Sequence, residues 1–125
     1  VHGFAAPIGG MFPAPHGAIC AAILPHGMAA NLRALRARAP HHPAIDRYQH
    51  VAAALTGDAN ASADAGVAAV VALCTDLHIP GLRTYGIGHD DIDEVCAEAR
   101  RASSMKANPI ELDDDELRAT LRAAQ

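Results

Sequence analysis

The sequence predicts an all-α fold of five or six helices packed as a bundle. Three observations carry that expectation. First, half of the 125 residues are apolar, mostly Ala, Leu, Val and Ile, while the aromatics are only Phe4, Phe12, Tyr48 and Tyr85. Ala-rich, aromatic-poor sequence favours helix over strand. Second, apolar residues recur at helical spacing, most clearly Val67, Val70, Val71, Cys74 and Leu77. Third, no stretch alternates like a strand. The segment Leu82 to Ile87 is the one candidate for extended chain, and it is short and bounded by glycines.

Breakers divide the helices. The first is expected from Val1 to about Ile8, stopped by Gly9-Gly10, with a turn from Met11 to Pro15. A long apolar stretch follows from His16 to about Arg38. Pro25 should kink or interrupt it, since proline removes an N–H and crowds the preceding turn. Leu32 and Leu35 continue its buried stripe, and Arg33, Arg36 and Arg38 face water. A helix beginning near Pro43 carries Tyr48, Val51, Ala52 and Leu55 on one face and ends at Gly57. The next spans about Ser62 to His78 and stops at Ile79-Pro80-Gly81. Another starts at Asp90, with Ile92, Val95, Cys96 and Ala99 inward. The last has the clearest start: Asp113 and Glu116 suit a capping box, flanked by Leu112 and Leu117 as a hydrophobic staple.

Composition narrows the function classes. The net charge of −4 is spread along the chain, so no basic face suggests nucleic acid. No apolar run approaches the roughly 20 residues of a membrane span, and Val1 to Leu24 lacks the basic start of a signal peptide. Cys20, Cys74 and Cys96 are odd in number and widely spaced. They read as small buried hydrophobes of a reducing, cytoplasmic setting, with no CxxC pair for a structural zinc.

Eight histidines invite a search for chemistry. His41 and His42 flank a proline-rich loop and read as solvated. His50 reads as a surface or boundary residue. His78 sits in a last helical turn, where a cation suits the dipole, and His89 precedes a helix as part of its cap. His26 reads as a hydrogen-bonded core histidine. His2 and His16 differ, because each stands among small residues that admit a ligand or another chain segment. A turn between them could converge both rings, and neutral imidazole is a common ligand for iron and zinc. The H-x13-H spacing alone is no general metal motif.

The opening HGFAAPIGGMFPAPHGAICAAILPH resembles the metal-binding segment of the iron-containing (group III) alcohol dehydrogenases. The matching elements are His2-Gly3, Pro7-Ile8-Gly9-Gly10, Pro15-His16-Gly17 and Leu24-Pro25-His26. DLHIPGLRTYGI and SSMKANPIELDDDELRATLRAA are similar, more loosely, to the family's IPxxL connector and to its C-terminal NP segment and final helix.

The resemblance implies that residues 1–125 are the C-terminal, metal-binding helical domain of the dehydroquinate synthase-like fold. The nucleotide-binding domain, and an Asp and a His that complete the metal shell, would lie upstream in a longer polypeptide. It implies His2 and His16 as metal ligands, Fe2+ as the metal with Zn2+ as the alternative, and NAD or NADP bound mainly by the absent domain. It further implies a small alcohol or aldehyde substrate and a homo-oligomer in the full-length form. Phe4, Met11 and Phe12 are candidates for the substrate pocket, against ordinary core packing. By itself the piece should bind metal weakly and lack activity. Ala6 stands where many members carry a further histidine, and Pro-His-Gly-Ala departs from the Pro-His-Ala-Glu of maleylacetate reductases. Two other readings are a non-catalytic helical interaction module and a half-enzyme completed by a separate nucleotide-binding subunit.

Overall fold

Six α-helices and two short 3-10 segments, with no strand, make up the computed structural model, which describes all of residues 1–125. The helices are α1 (His2–Met11), α2 (His16–Arg38), α3 (Ala44–Thr56), α4 (Ala63–Asp76), α5 (Ile92–Arg101) and α6 (Asp114–Ala123). The 3-10 segments are Leu82–Tyr85 and Ser103–Ala107. The all-α expectation therefore holds, and the doubtful segment from Leu82 is a 3-10 turn rather than extended chain. Helix α2 is the spine, with α1, α4 and α6 against it. Helix α5 closes over α1 and α6, and α3 packs on the outer side of α4.

The core lies where α1, α2, α5 and α6 meet. Ile8, Ile19, Ile23, Val95, Leu117 and Leu121 are all fully buried there. Removing a large aliphatic side chain of this kind from water is worth about 1.5–3 kcal/mol. The stripe expected of α5, Ile92, Val95, Cys96 and Ala99, is buried in full.

Helix α1 does not stop at Gly9-Gly10 but runs through both to Met11. A glycine inside a helix costs only about 0.5–1 kcal/mol, and the buried Phe4, Ala5 and Ile8 hold the helix in place. Proline supplies the stop. Phe12 precedes Pro13, and the proline ring forces its predecessor out of helical space; Phe12 is extended at φ −130°, ψ 149°.

Helix α2 likewise continues through Pro25 for 23 residues, where an interruption was expected. Pro25 has no N–H for the carbonyl of Ala21. The Cys74 thiol of α4 reaches that carbonyl instead, Sγ to oxygen 3.7 Å. The same helix corrects the reading of membrane-length runs, because α2 is long and apolar enough to cross a bilayer by length and composition. Yet 56% of its most apolar window is buried against the other helices, as suits the core helix of a bundle. Leu32 and Leu35 are buried, and Arg33, Arg36 and Arg38 are exposed, as expected. Two of these arginines tie helices together: Arg36 to Asp64 of α4 at 2.6 and 3.0 Å, and Arg38 to Glu116 of α6 at 2.8 and 2.9 Å.

The outer hairpin corrects the expected stripes of α3 and α4. Val51, Leu55, Val71 and Leu77 are exposed, Leu77 by 62%. The two helices meet through small residues instead. A Cβ on Gly66 would lie 2.7 Å from the Ala52 Cβ and 2.9 Å from its Cα. So close a crossing leaves the larger apolar side chains to either side. Gly57 ends α3 at φ 74°, and the Ser62 hydroxyl caps α4 by accepting from the Ala65 N–H. The capping box of α6 is formed in both directions, each bond 2.8 Å, with Leu112 and Leu117 buried beside it.

Candidate metal centre

The first residue of α1 is His2 and the first residue of α2 is His16. Pro15 stands before α2 in an extended conformation, φ −62°, ψ 131°, so its fixed φ sets where the second helix begins. The crossing of the two helices brings the imidazoles together: their ring centroids are 5.4 Å apart, tilted by 53°. Both side chains are exposed.

Glycine positions α1 beneath this pair. A Cβ on Gly3 would meet the Met105 side chain at 2.7 Å, so the 3-10 segment Ser103–Ala107 can press directly against the start of α1. Around Gly17 there is open space instead, with no atom within 4 Å of a Cβ position. The cluster is supported from below and approachable from outside.

A third donor stands beside the two rings. Cys20, one helical turn after His16, has its Sγ 3.5 Å from His16 Nε2. One donor atom from each of His2, His16 and Cys20 lies within 4.8 Å of the other two. The reading of Cys20 as a buried hydrophobe is thus corrected: it is half-buried and faces the histidines. The His16-x3-Cys20 spacing was the available signal, since residues four apart share a helix face. Two imidazoles and a thiol are borderline-to-soft donors and fit a first-row transition metal better than calcium or magnesium.

The remaining sequence candidates scatter. Phe4 is a core residue, 3% exposed, whereas Met11 is exposed and Phe12 half-buried against the core. A cleft of about 340 Å³ opens beside His2, lined by Gly3, Ser104, Met105, Ala107 and Asn108 as well as Val1. Sequence reasoning did not single out Met105, whose partner Gly3 was the only hint of a close approach.

The other histidines stand apart from the cluster. His41 and His50 are exposed. His42 is not simply solvated, since its Nδ1 accepts from the Ala44 N–H at 3.1 Å at the start of α3. His78 follows α4 in the left-handed region, φ 53°, with its Nδ1 2.9 Å from the Asp76 carbonyl. His89 is exposed and its ring does not cap α5; the carboxylate of Asp91 there accepts from the Gly88 N–H. His26 is only half-buried, and burial alone pushes its pKa below the ordinary histidine value.

Fold and donor cluster together define an all-helical domain with a candidate metal centre on its open side. The chain belongs to the iron-containing alcohol dehydrogenases: the family described as "Fe-containing alcohol dehydrogenase family, C-terminal" matches residues 1–125. Among solved structures it is similar to a 1,3-propanediol oxidoreductase, with a TM-score of 0.79 and 27% identity over 99% of this chain. The match spans about a third of that protein, 32% of its length. No curated protein sequence matches the chain.

Proposed function

We propose that this chain supplies His2 and His16 as ligands to the divalent metal of an NAD(P)-dependent alcohol dehydrogenase or aldehyde reductase. The observation that carries the reading is the 5.4 Å approach of the two rings in a chain that belongs along its whole length to the iron-containing family. Iron(II) is the expected ion, with zinc as the alternative for the same donors. In this reading NAD or NADP is bound mainly outside these 125 residues, by the nucleotide-binding part of a longer polypeptide, and the piece alone is inactive. Three cysteines with no disulfide suit a reducing, cytoplasmic setting.

A bound divalent ion would supply Lewis-acid polarisation of the substrate oxygen. The chain's own residues bind and orient. His2 and His16 offer ring nitrogens from two helices whose crossing is held by Phe4 and Ile8. Gly3 lets Met105 brace the start of α1. Met11 lies at the far end of α1 from His2 and Phe12 packs on the core, so neither reaches the cluster, and the buried Phe4 acts only by anchoring α1. The similar propanediol oxidoreductase supports a short-chain substrate.

The test uses the polypeptide that carries this chain, purified as wild type and as His2→Ala and His16→Ala. Metal content and NAD(P)H-dependent reduction of short aldehydes are measured. Each variant should lose metal affinity by at least about 10–100-fold, the range that even an outer-shell change produces, and activity with it. Full metal content and activity in both variants would sink the reading.

A further inference from the structure

Since Met11 and Phe12 stand away from the cluster, the carbon side of a substrate needs another place. The cleft of about 340 Å³ with His2 in its wall offers one. A second space of about 110 Å³ adjoins it, walled by Leu24, Met28 and Leu112 among others. Val1, Met105 and Asn108 line both spaces.

The smaller space is apolar in effect. Asn31, Tyr48 and Asn108 reach its wall, but their amides and hydroxyl are hydrogen-bonded to one another. No buried side-chain nitrogen or oxygen lacks a partner. An apolar void has nothing to hold water and accepts an apolar guest; about 150 Å³ is enough for a benzene.

Two of the three shared residues are fixed. Asn108 is held by Asn31 and by the Ile110 carbonyl. Val1 lies against Gly27, its Cγ2 3.7 Å from a Cβ position there. Met105 is the adaptable one, an unbranched thioether with several rotatable bonds. Its Cβ, Sδ and Cε lie 3.2, 3.0 and 2.7 Å from the Cβ position of Gly3, so the missing side chain of Gly3 gives it a seat.

We propose that Met105 sets the chain length of substrate that this site accepts. It closes the cleft beside His2 against the inner space, so the cleft takes a short aldehyde or alcohol and longer chains are turned away. This rests on the reading that His2 is a metal ligand, which puts the substrate oxygen towards His2 and the alkyl chain towards the thioether. Shortening Met105 joins the two spaces and gives a longer chain an apolar place to go.

The test uses the metal-loaded polypeptide that carries this chain, as wild type, Met105→Ala and the conservative Met105→Leu, with circular dichroism checking that each is folded. kcat/KM is measured for the aldehydes from propanal to octanal, and binding of n-hexanol is followed by calorimetry without cofactor. In Met105→Ala the hexanal-to-propanal ratio of kcat/KM should rise at least about tenfold, because each methylene housed in an apolar pocket is worth about that much or more. Binding of n-hexanol should tighten in step, and Met105→Leu should keep the wild-type preference. A residue that only supports the fold would lower every aldehyde alike. An unchanged ratio in folded Met105→Ala would therefore overturn the proposal, and wild type that binds metal and reduces propanal would leave the metal-ligand reading standing. Wild type with neither metal nor activity would overturn both. Should Met105→Ala fail to fold, Met105→Val makes the same comparison in the same direction.

Discussion

Asn31 and Asn108 face each other across 77 residues of chain and exchange two hydrogen bonds, 2.9 and 2.7 Å, amide to amide. Asn31 sits on α2, only 8% exposed, and also donates to the Tyr48 hydroxyl of α3 at 3.1 Å. Asn108 donates on to the Ile110 carbonyl at 2.7 Å. The pair pins the segment after α5, and with it Met105, beneath the start of α1. Replacing Asn108 with Ala leaves the buried Asn31 amide short of a partner, at a cost of about 1–3 kcal/mol. Urea unfolding followed by circular dichroism should show a lower midpoint, with the extrapolated unfolding free energy reduced by that amount. An unchanged midpoint would remove the pair from the account of what supports α1.

Gly66 should tolerate no side chain. A methyl there would strike the Ala52 backbone as well as its Cβ, and backbone cannot rotate away. Overpacking of this kind costs about 1–3 kcal/mol. Thermal unfolding of Gly66→Ala should show a lower Tm, and a companion Gly10→Ala, placed where nothing lies within 4 Å, should not. Equal Tm values in the two variants would contradict the close crossing of α3 and α4.

Acid should weaken the fold in two stages. Burial lowers the pKa of His26 in the folded chain, so the unfolded chain binds the proton first. Its contribution is intact above about pH 6.5, the ordinary histidine value, and is lost as pH falls towards the depressed folded pKa. Glu116 adds a later stage. Its hydrogen bond to Arg38 lowers its pKa, so its contribution is present above about pH 4.3, the ordinary glutamate value, and goes as pH falls through the lower folded value. Unfolding midpoints measured from pH 7 down to about pH 2 check both. His26→Gln should flatten the first stage and leave the second. A profile that stayed flat to pH 5 in wild type would refute the His26 part.

How much of this was legible in the sequence depended on whether the deciding contact was local. The box around Asp113 and Glu116, the stripe of α5 and the Gly57 terminus are set by neighbours a few residues apart, and all were readable. The end of α1 was misjudged because two glycines looked like a stop, while the Phe12-Pro13 step decided it. Pro25 was misjudged for the converse reason: a thiol 53 residues away engages the carbonyl it frees. The exposure of Val71 and Leu77 could not be foreseen, because helical spacing reports that a face is apolar, not what covers it. At the candidate site the histidine pair was visible through its resemblance to a family segment. Cys20 was passed over because a lone cysteine among Ala and Ile looks like filler until its neighbour one turn back is seen to be His16.

Both imidazoles emerge where a helix begins, and that has an electrostatic consequence. The start of each helix carries about half a unit of positive charge from its unpaired N–H groups. Two such ends each present a ring to one spot, the ring centroids 5.4 Å apart, so a cation held by both rings feels the positive ends of both helices. Anionic atoms are correspondingly welcome: a carboxylate from elsewhere, or an alcohol oxygen that has shed its proton. The peptide framework thus disfavours a bare ion and rewards one that arrives with negative company.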